Sequence, residues 1–115
     1  MIKINVYDIT GSRAVTDSPQ GENVFQKICE GFEKGEKVEL DFCNVKTILS
    51  MFLNSAVAPL YSRYSSDFLN QHLSIKNMDP EDKDVLKRVN ERAKQFYSEK
   101  NSNMELSRSE IYGDD

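Results

Sequence analysis

The run from Lys37 to Leu60, KVELDFCNVKTILSMFLNSAVAPL, passes from a strand period to a helix period within a few residues, and the rest of the chain can be read as packing around it. Val38, Leu40 and Phe42 alternate with Glu39 and Asp41, the pattern of a strand with one face on a core. Asn44 breaks the alternation. From Ser50 onward Leu53, Ala56, Val57, Leu60, Tyr61 and Tyr64 fall on one broad helical face. Pro59 lies inside that pattern, where it removes a backbone hydrogen bond and crowds the preceding turn. A kink, or two short helices meeting near Ala58, is therefore expected. At the junction itself, Thr47-Ile48-Leu49-Ser50, Ser50 stands where a helix takes its N-cap. A phosphate placed there would meet free N–H groups and the positive end of the helix dipole.

The flanking sequence supplies the remaining elements. Ile2, Ile4 and Val6 alternate with Lys3, Asn5 and Tyr7, which predicts a first strand over residues 2–8. Thr10-Gly11-Ser12 has turn chemistry, and Arg13-Ala14-Val15 reads as the return strand of a hairpin. Ser18-Pro19 opens a helix, with Ser18 as cap, that carries Val24, Phe25, Ile28, Cys29 and Phe32 inward to about Lys34 before Gly35 ends it. A short strand is expected at Leu73-Ser74-Ile75-Lys76. Asp79-Pro80-Glu81-Asp82 opens a last helix whose buried stripe is Val85, Leu86, Val89, Ala93 and Phe96. Beyond Ser98 periodicity is lost, so the reading is one domain over residues 1–98 and a flexible tail over 99–115. Met104, Leu106, Ile111 and Tyr112 in that tail would alternatively serve as a docking peptide. Strands separated by helices make this an α/β chain, a small mixed or parallel sheet packed with about three helices.

Two short motifs, Gly11-Ser12-Arg13 after the first strand and Asp41-Phe42 followed by Ser50-Met51-Phe52-Leu53-Asn54, carry a family resemblance. Their order resembles the STAS superfamily, the domain of bacterial anti-sigma-factor antagonists, and more closely its branch of small STAS-like proteins of unannotated function. In the antagonists the central helix begins Asp-Ser-Ser/Thr-Gly-Leu-Gly and its first Ser is phosphorylated by a partner kinase. Ser50 falls on that position, with Leu49 in place of the Asp, Met51 in place of the second hydroxyl residue and Phe52 in place of the Gly. The resemblance implies a non-catalytic regulatory domain, a phosphorylation site at Ser50, and a histidine-kinase-like ATPase as partner.

Composition narrows the alternatives. The chain has 115 residues, 38% of them hydrophobic and 30% charged, which suits one soluble core. The net charge of −4 argues against a general nucleic-acid binder. No apolar run nears the roughly 20 residues of a membrane helix, and the start of the chain lacks a secretion signal, so a cytoplasmic location is expected. Cys29 and Cys43 have no metal or redox spacing and read as buried free thiols. His72, the sole histidine, opens a short strand in a polar stretch and reads as a surface residue, and neither cysteine has a candidate base nearby in sequence; neither an enzyme nor a cofactor is expected.

The candidate partner surface is Ser50, Met51, Phe52 and Asn54. Met51 and Phe52 are either docking anchors or core, and Ser50 is either a switch or only a cap. Arg13 and Asp41 leave the strands at the carboxyl edge of the sheet, where open α/β sheets place their crevices. They either form an ion pair, or Asp41 caps its own loop while Arg13 is solvated. A structural or oligomer-forming subunit, with no switch at Ser50, is the alternative function, and an anion or nucleotide site near Arg13 and Asp41 is a third.

Overall fold

The computed structural model describes the backbone of residues 1–110 and the side chains of residues 1–97. Strand β1 (Ile2–Asn5) is followed by helix α1 (Val6–Thr10), β2 (Ala14–Val15), α2 (Ser18–Glu33), β3 (Val38–Asp41), β4 (Thr47–Ile48) and α3 (Ser50–Ala56). A 3-10 segment (Ala58–Ser62), α4 (Ser66–His72), β5 (Leu73–Lys76) and α5 (Pro80–Glu110) complete it. The expected flexible tail over 99–115 lies outside the residues whose side chains are described; α5 carries its backbone as far as Glu110.

The central strand of the main sheet is β3, with β1 and β5 on either side, all parallel. Its register explains the layering. Ile2, Val38 and Leu73 lie side by side, as do Ile4, Leu40 and Ile75, so one face of the sheet is apolar. Lys3, Glu39 and Ser74 share the opposite face with Asn5, Asp41 and Lys76. Only the apolar face takes α2: a Cβ built on Gly31 would stand 2.7 Å from Val38 Cγ2 and 3.4 Å from Ile2 Cδ1. Leu40, Phe42, Val24, Ile28, Phe52, Leu53 and Leu60 are essentially inaccessible in the core between them. Each such side chain contributes about 1.5–3 kcal/mol on leaving water.

The first strand is shorter than the alternation suggests. Asn5 ends it, because its side chain accepts the N–H of Asp8 at 2.9 Å and starts a helix at Val6. Gly11, at φ 68°, closes that helix with a bond from its N–H to the Tyr7 carbonyl. The predicted hairpin is also replaced. Ala14–Val15 pairs in parallel with Thr47–Ile48, so both sheets are parallel and none is mixed.

Helix α2 has the expected span but a different cap. Asp17, not Ser18, accepts the Gln20 N–H at 2.9 Å. The Gln20 side chain returns the bond to the Asp17 N–H, completing a capping box. Gln20 also takes the Thr16 N–H at 2.8 Å and donates to the Ala14 carbonyl, tying β2 to the helix. Asp17→Ala is expected to cost about 1 kcal/mol, read as a lower midpoint in chemical denaturation. At the other end Glu36 N–H reaches Gly31 O and Gly35 N–H reaches Phe32 O, with Gly35 at φ 76°. That is a Schellman stop.

Pro59 acts as expected: α3 ends at Ala56 and the chain continues as the 3-10 segment. Helix α4 is unanticipated. Ser65 caps it through the Phe68 N–H, and Tyr64, Phe68 and His72, four residues apart, stack along one side. Phe32 meets all three rings edge-on. The stripe of α5 holds at Leu86, Val89 and Ala93 but fails at Phe96, which is 59% exposed and packs on Tyr97.

Candidate functional site

Two strand-to-helix units lie side by side, β2 leading into α2 and β4 into α3, and both run in the same direction. Backbone bonds join them. The Lys46 and Thr47 N–H groups donate to the Arg13 carbonyl at 2.7 and 3.2 Å, and Leu49 N–H donates to Val15 O at 3.0 Å. The Gly11-Ser12-Arg13 stretch and the approach to Ser50 therefore touch. Ser12 shapes its own turn, its hydroxyl donating to Ala14 O and accepting the Ala14 N–H. Gly21 lets the two helices close: a Cβ there would stand 2.6 Å from Phe52 O and 2.6 Å from Ser55 Cβ.

At the start of α3 the side chains separate sharply by exposure. Leu49 is 49% and Met51 57% exposed, with Ser50 and Asn54 also on the surface. Phe52 is fully buried, its ring edge-on to Phe42 at 6.4 Å, so it belongs to the core and offers nothing to a partner. Ser50 is not the N-cap. Leu49 holds that position with extended backbone, and the helix begins without a side-chain cap. The Ser50 hydroxyl has no hydrogen-bond partner among the described residues and stands at the first helical position.

The Arg13 to Asp41 ion pair does not form. Asp41 Oδ1 accepts the Cys43 N–H at 2.9 Å and the Asn77 side-chain amide at 2.8 Å, which joins the ends of β3 and β5. Arg13 is exposed and has no ion pair among the described residues. Asp41 thus orders its own loop, in which Val45 N–H returns to Phe42 O and Asn44 adopts φ 69° at the third turn position. Its neighbour Cys43 is exposed, contrary to the buried thiol expected, because β3 ends at Asp41 and the turn projects outward.

Cys29 is buried and lines a groove of about 420 Å³ with Phe25, Glu22, Glu33 and Arg63. Arg63 donates to its sulfur at 3.8 Å and lies over the Phe25 ring, 5.2 Å from the centroid. Burial pushes the Cys29 thiol above its ordinary value, and the Arg63 charge only partly opposes this. A neutral buried thiol is a poor nucleophile. A disulfide reagent is expected to modify Cys43 at once and Cys29 only on unfolding; equal rates would contradict this burial. His72 is occupied in the aromatic stack, with Nδ1 2.9 Å from Phe68 O. No group of three or more metal-binding side chains occurs among the described residues, and no helix among them is long and apolar enough to cross a membrane.

A small parallel sheet with α2 on its apolar face and a strand-to-helix junction exposed beside it defines a STAS-like α/β domain. The chain belongs to that family: the model described as "STAS-like domain of unknown function (DUF4325)" matches residues 20–83, more than half of its length. The matched region runs from the start of α2 into the start of α5 and includes Ser50, whereas Gly11, Ser12 and Arg13 lie before it. No curated protein and no solved structure matches the chain.

Proposed function

We propose that this domain is a non-catalytic regulatory module that binds a partner protein through the start of α3. The observation that carries the reading is the exposure of Leu49 and Met51 on either side of Ser50, in a domain that buries Phe52 and Leu53 immediately afterwards. Large apolar side chains held in water at adjacent positions cost solvation that a partner would recover, and Met is well suited to adaptable contacts. Asn54, one turn along, extends the same surface.

The family resemblance supports a histidine-kinase-like ATPase as the partner and Ser50 as the point of control. The Ser50 hydroxyl is exposed and makes no hydrogen bond among the described residues, so a phosphate would disrupt none of their contacts. It would place nearly two negative charges between Leu49 and Met51 and alter what docks there. The test is intact and peptide mass of the chain isolated from its own host with its co-purifying proteins. The expected result is an ATPase in the complex and a phosphate on Ser50; an unmodified Ser50 with the partner still bound would remove the switch and leave constitutive docking.

Exposed Phe96 on α5 favours a second reading, a self-associating structural subunit. On that reading the mass in solution rises with concentration and Phe96→Ser abolishes the rise, without any ATPase.

A further inference from the structure

The geometry points to a ligand site separate from the α3 surface: the groove between the 3-10 segment, α4 and α5 binds a small phosphate ester that carries a hydroxyl group. The groove has a volume of about 240 Å³, and Lys83, Lys87, Asn90 and Lys94 line it from α5. Their spacing of four, three and four residues places them on one helical stripe. Tyr61 and Asn70, from the 3-10 segment and α4, complete the lining together with Leu86 and Glu91 of α5.

The lining of this groove is more basic than the chain as a whole. The chain carries a net −4, yet three lysines against one glutamate give the lining a net +2. None of the three ammonium groups forms an ion pair among the described residues, Glu91 notwithstanding. A solvated lysine stripe would by itself be ordinary.

Asn90 is the independent observation. Its Oδ1 is closed off from solvent and has no hydrogen-bond partner among the described residues. Buried amide oxygens are almost always paired, because an unpaired one forfeits its bond to water without replacement. The terminal torsion of asparagine is broad, so a modest rotation would present Oδ1 to a donor within the groove. A ligand hydroxyl supplies that donor while its phosphate meets the lysines. The Tyr61 phenol in the same lining is a further hydrogen-bond donor at neutral pH. A volume of about 240 Å³ accommodates a compound of phosphosugar size.

The test is titration of the full chain with ribose 5-phosphate, followed by backbone amide chemical shifts, with sulfate as a comparator lacking the hydroxyl. The expected result is saturable shifts confined to the neighbourhood of Tyr61, Asn70 and residues 83–94, with sulfate binding more weakly. Lys83→Ala/Lys87→Ala and, separately, Asn90→Leu should each weaken binding about tenfold. Arg88→Ala/Arg92→Ala removes the same charge from outside the groove lining and should leave affinity unchanged. Absence of saturation by about 20 mM, an equal loss in the arginine variant, or equal affinity for sulfate would each overturn the proposal. All four basic residues are exposed, so these variants are expected to fold.

Discussion

Phe52→Ala is expected to destabilise the domain by about 3–5 kcal/mol, whereas Met51→Ala, one residue away, should shift stability by less than about 0.5 kcal/mol. The contrast follows from burial. Phe52 has no accessible surface and meets Phe42 edge-on between α3 and the end of β3, so truncation removes its transfer energy and leaves a cavity that these elements cannot fully close. Met51 is 57% exposed and loses little. Domains of this size have about 5–15 kcal/mol in total, so Phe52→Ala is expected to remove a large share of the stability. Urea denaturation of both variants checks this. Equal small effects would mean that Phe52 is not a core residue, and the description of the α3 start would fail with it.

Gly21→Ala is expected to cost about 1–3 kcal/mol net, although alanine is ordinarily the better helix former by about 1 kcal/mol. The added methyl would stand 2.6 Å from a backbone oxygen of α3, which cannot swing aside as a side chain tip would. Helices α2 and α3 must therefore separate, opening the core on both sides of the crossing. Asn23→Ala, exposed on the same helix, gains the propensity without the clash and should be neutral or slightly stabilising. A Gly21→Ala chain that melts higher than the parent would show that the helices are not so closely packed.

Where side-chain period and backbone chemistry agree, the fold is legible in the sequence. Strand β5 falls on Leu73–Lys76 as predicted, α2 is displaced by one residue, and Pro59 divides the central helix near Ala58. The misreadings have local causes. Val6 continues the alternation of Ile2 and Ile4, so periodicity alone extends β1 past the point where the Asn5 side chain turns the chain into α1. Helix α4 is hidden because its packing residues are Tyr64, Phe68 and His72 within a polar run, and it is Phe32, distant in sequence, that covers one side of the half-buried stack. The two-residue strands β2 and β4 are too short for any period; they exist because their backbones meet.

The candidate site is legible in position and only partly in detail. Ser50, Met51 and Asn54 are surface residues, while Phe52 could be assigned to the core only with Phe42 in view. Ser50 resembles a cap in sequence, but β4 ends at Ile48 and the extended backbone of Leu49 takes the capping position first. Asp41 and Arg13 have complementary charges, yet Asn77, at φ 59° just after β5, offers its amide to Asp41. That partner is 36 positions away and invisible to any short motif. The lysine stripe of α5 has readable spacing; the orphaned oxygen of Asn90 does not.

The interaction reading is tested most directly by Leu49→Asp/Met51→Asp. Both side chains are exposed, so the thermal midpoint should be unchanged while two charges enter the proposed contact. The wild-type and variant chains would be expressed in the native host, cross-linked and purified, and the bound protein quantified by mass spectrometry. The expected result is a partner held by the wild type and lost from the equally stable variant. The same partner held equally by both would contradict it.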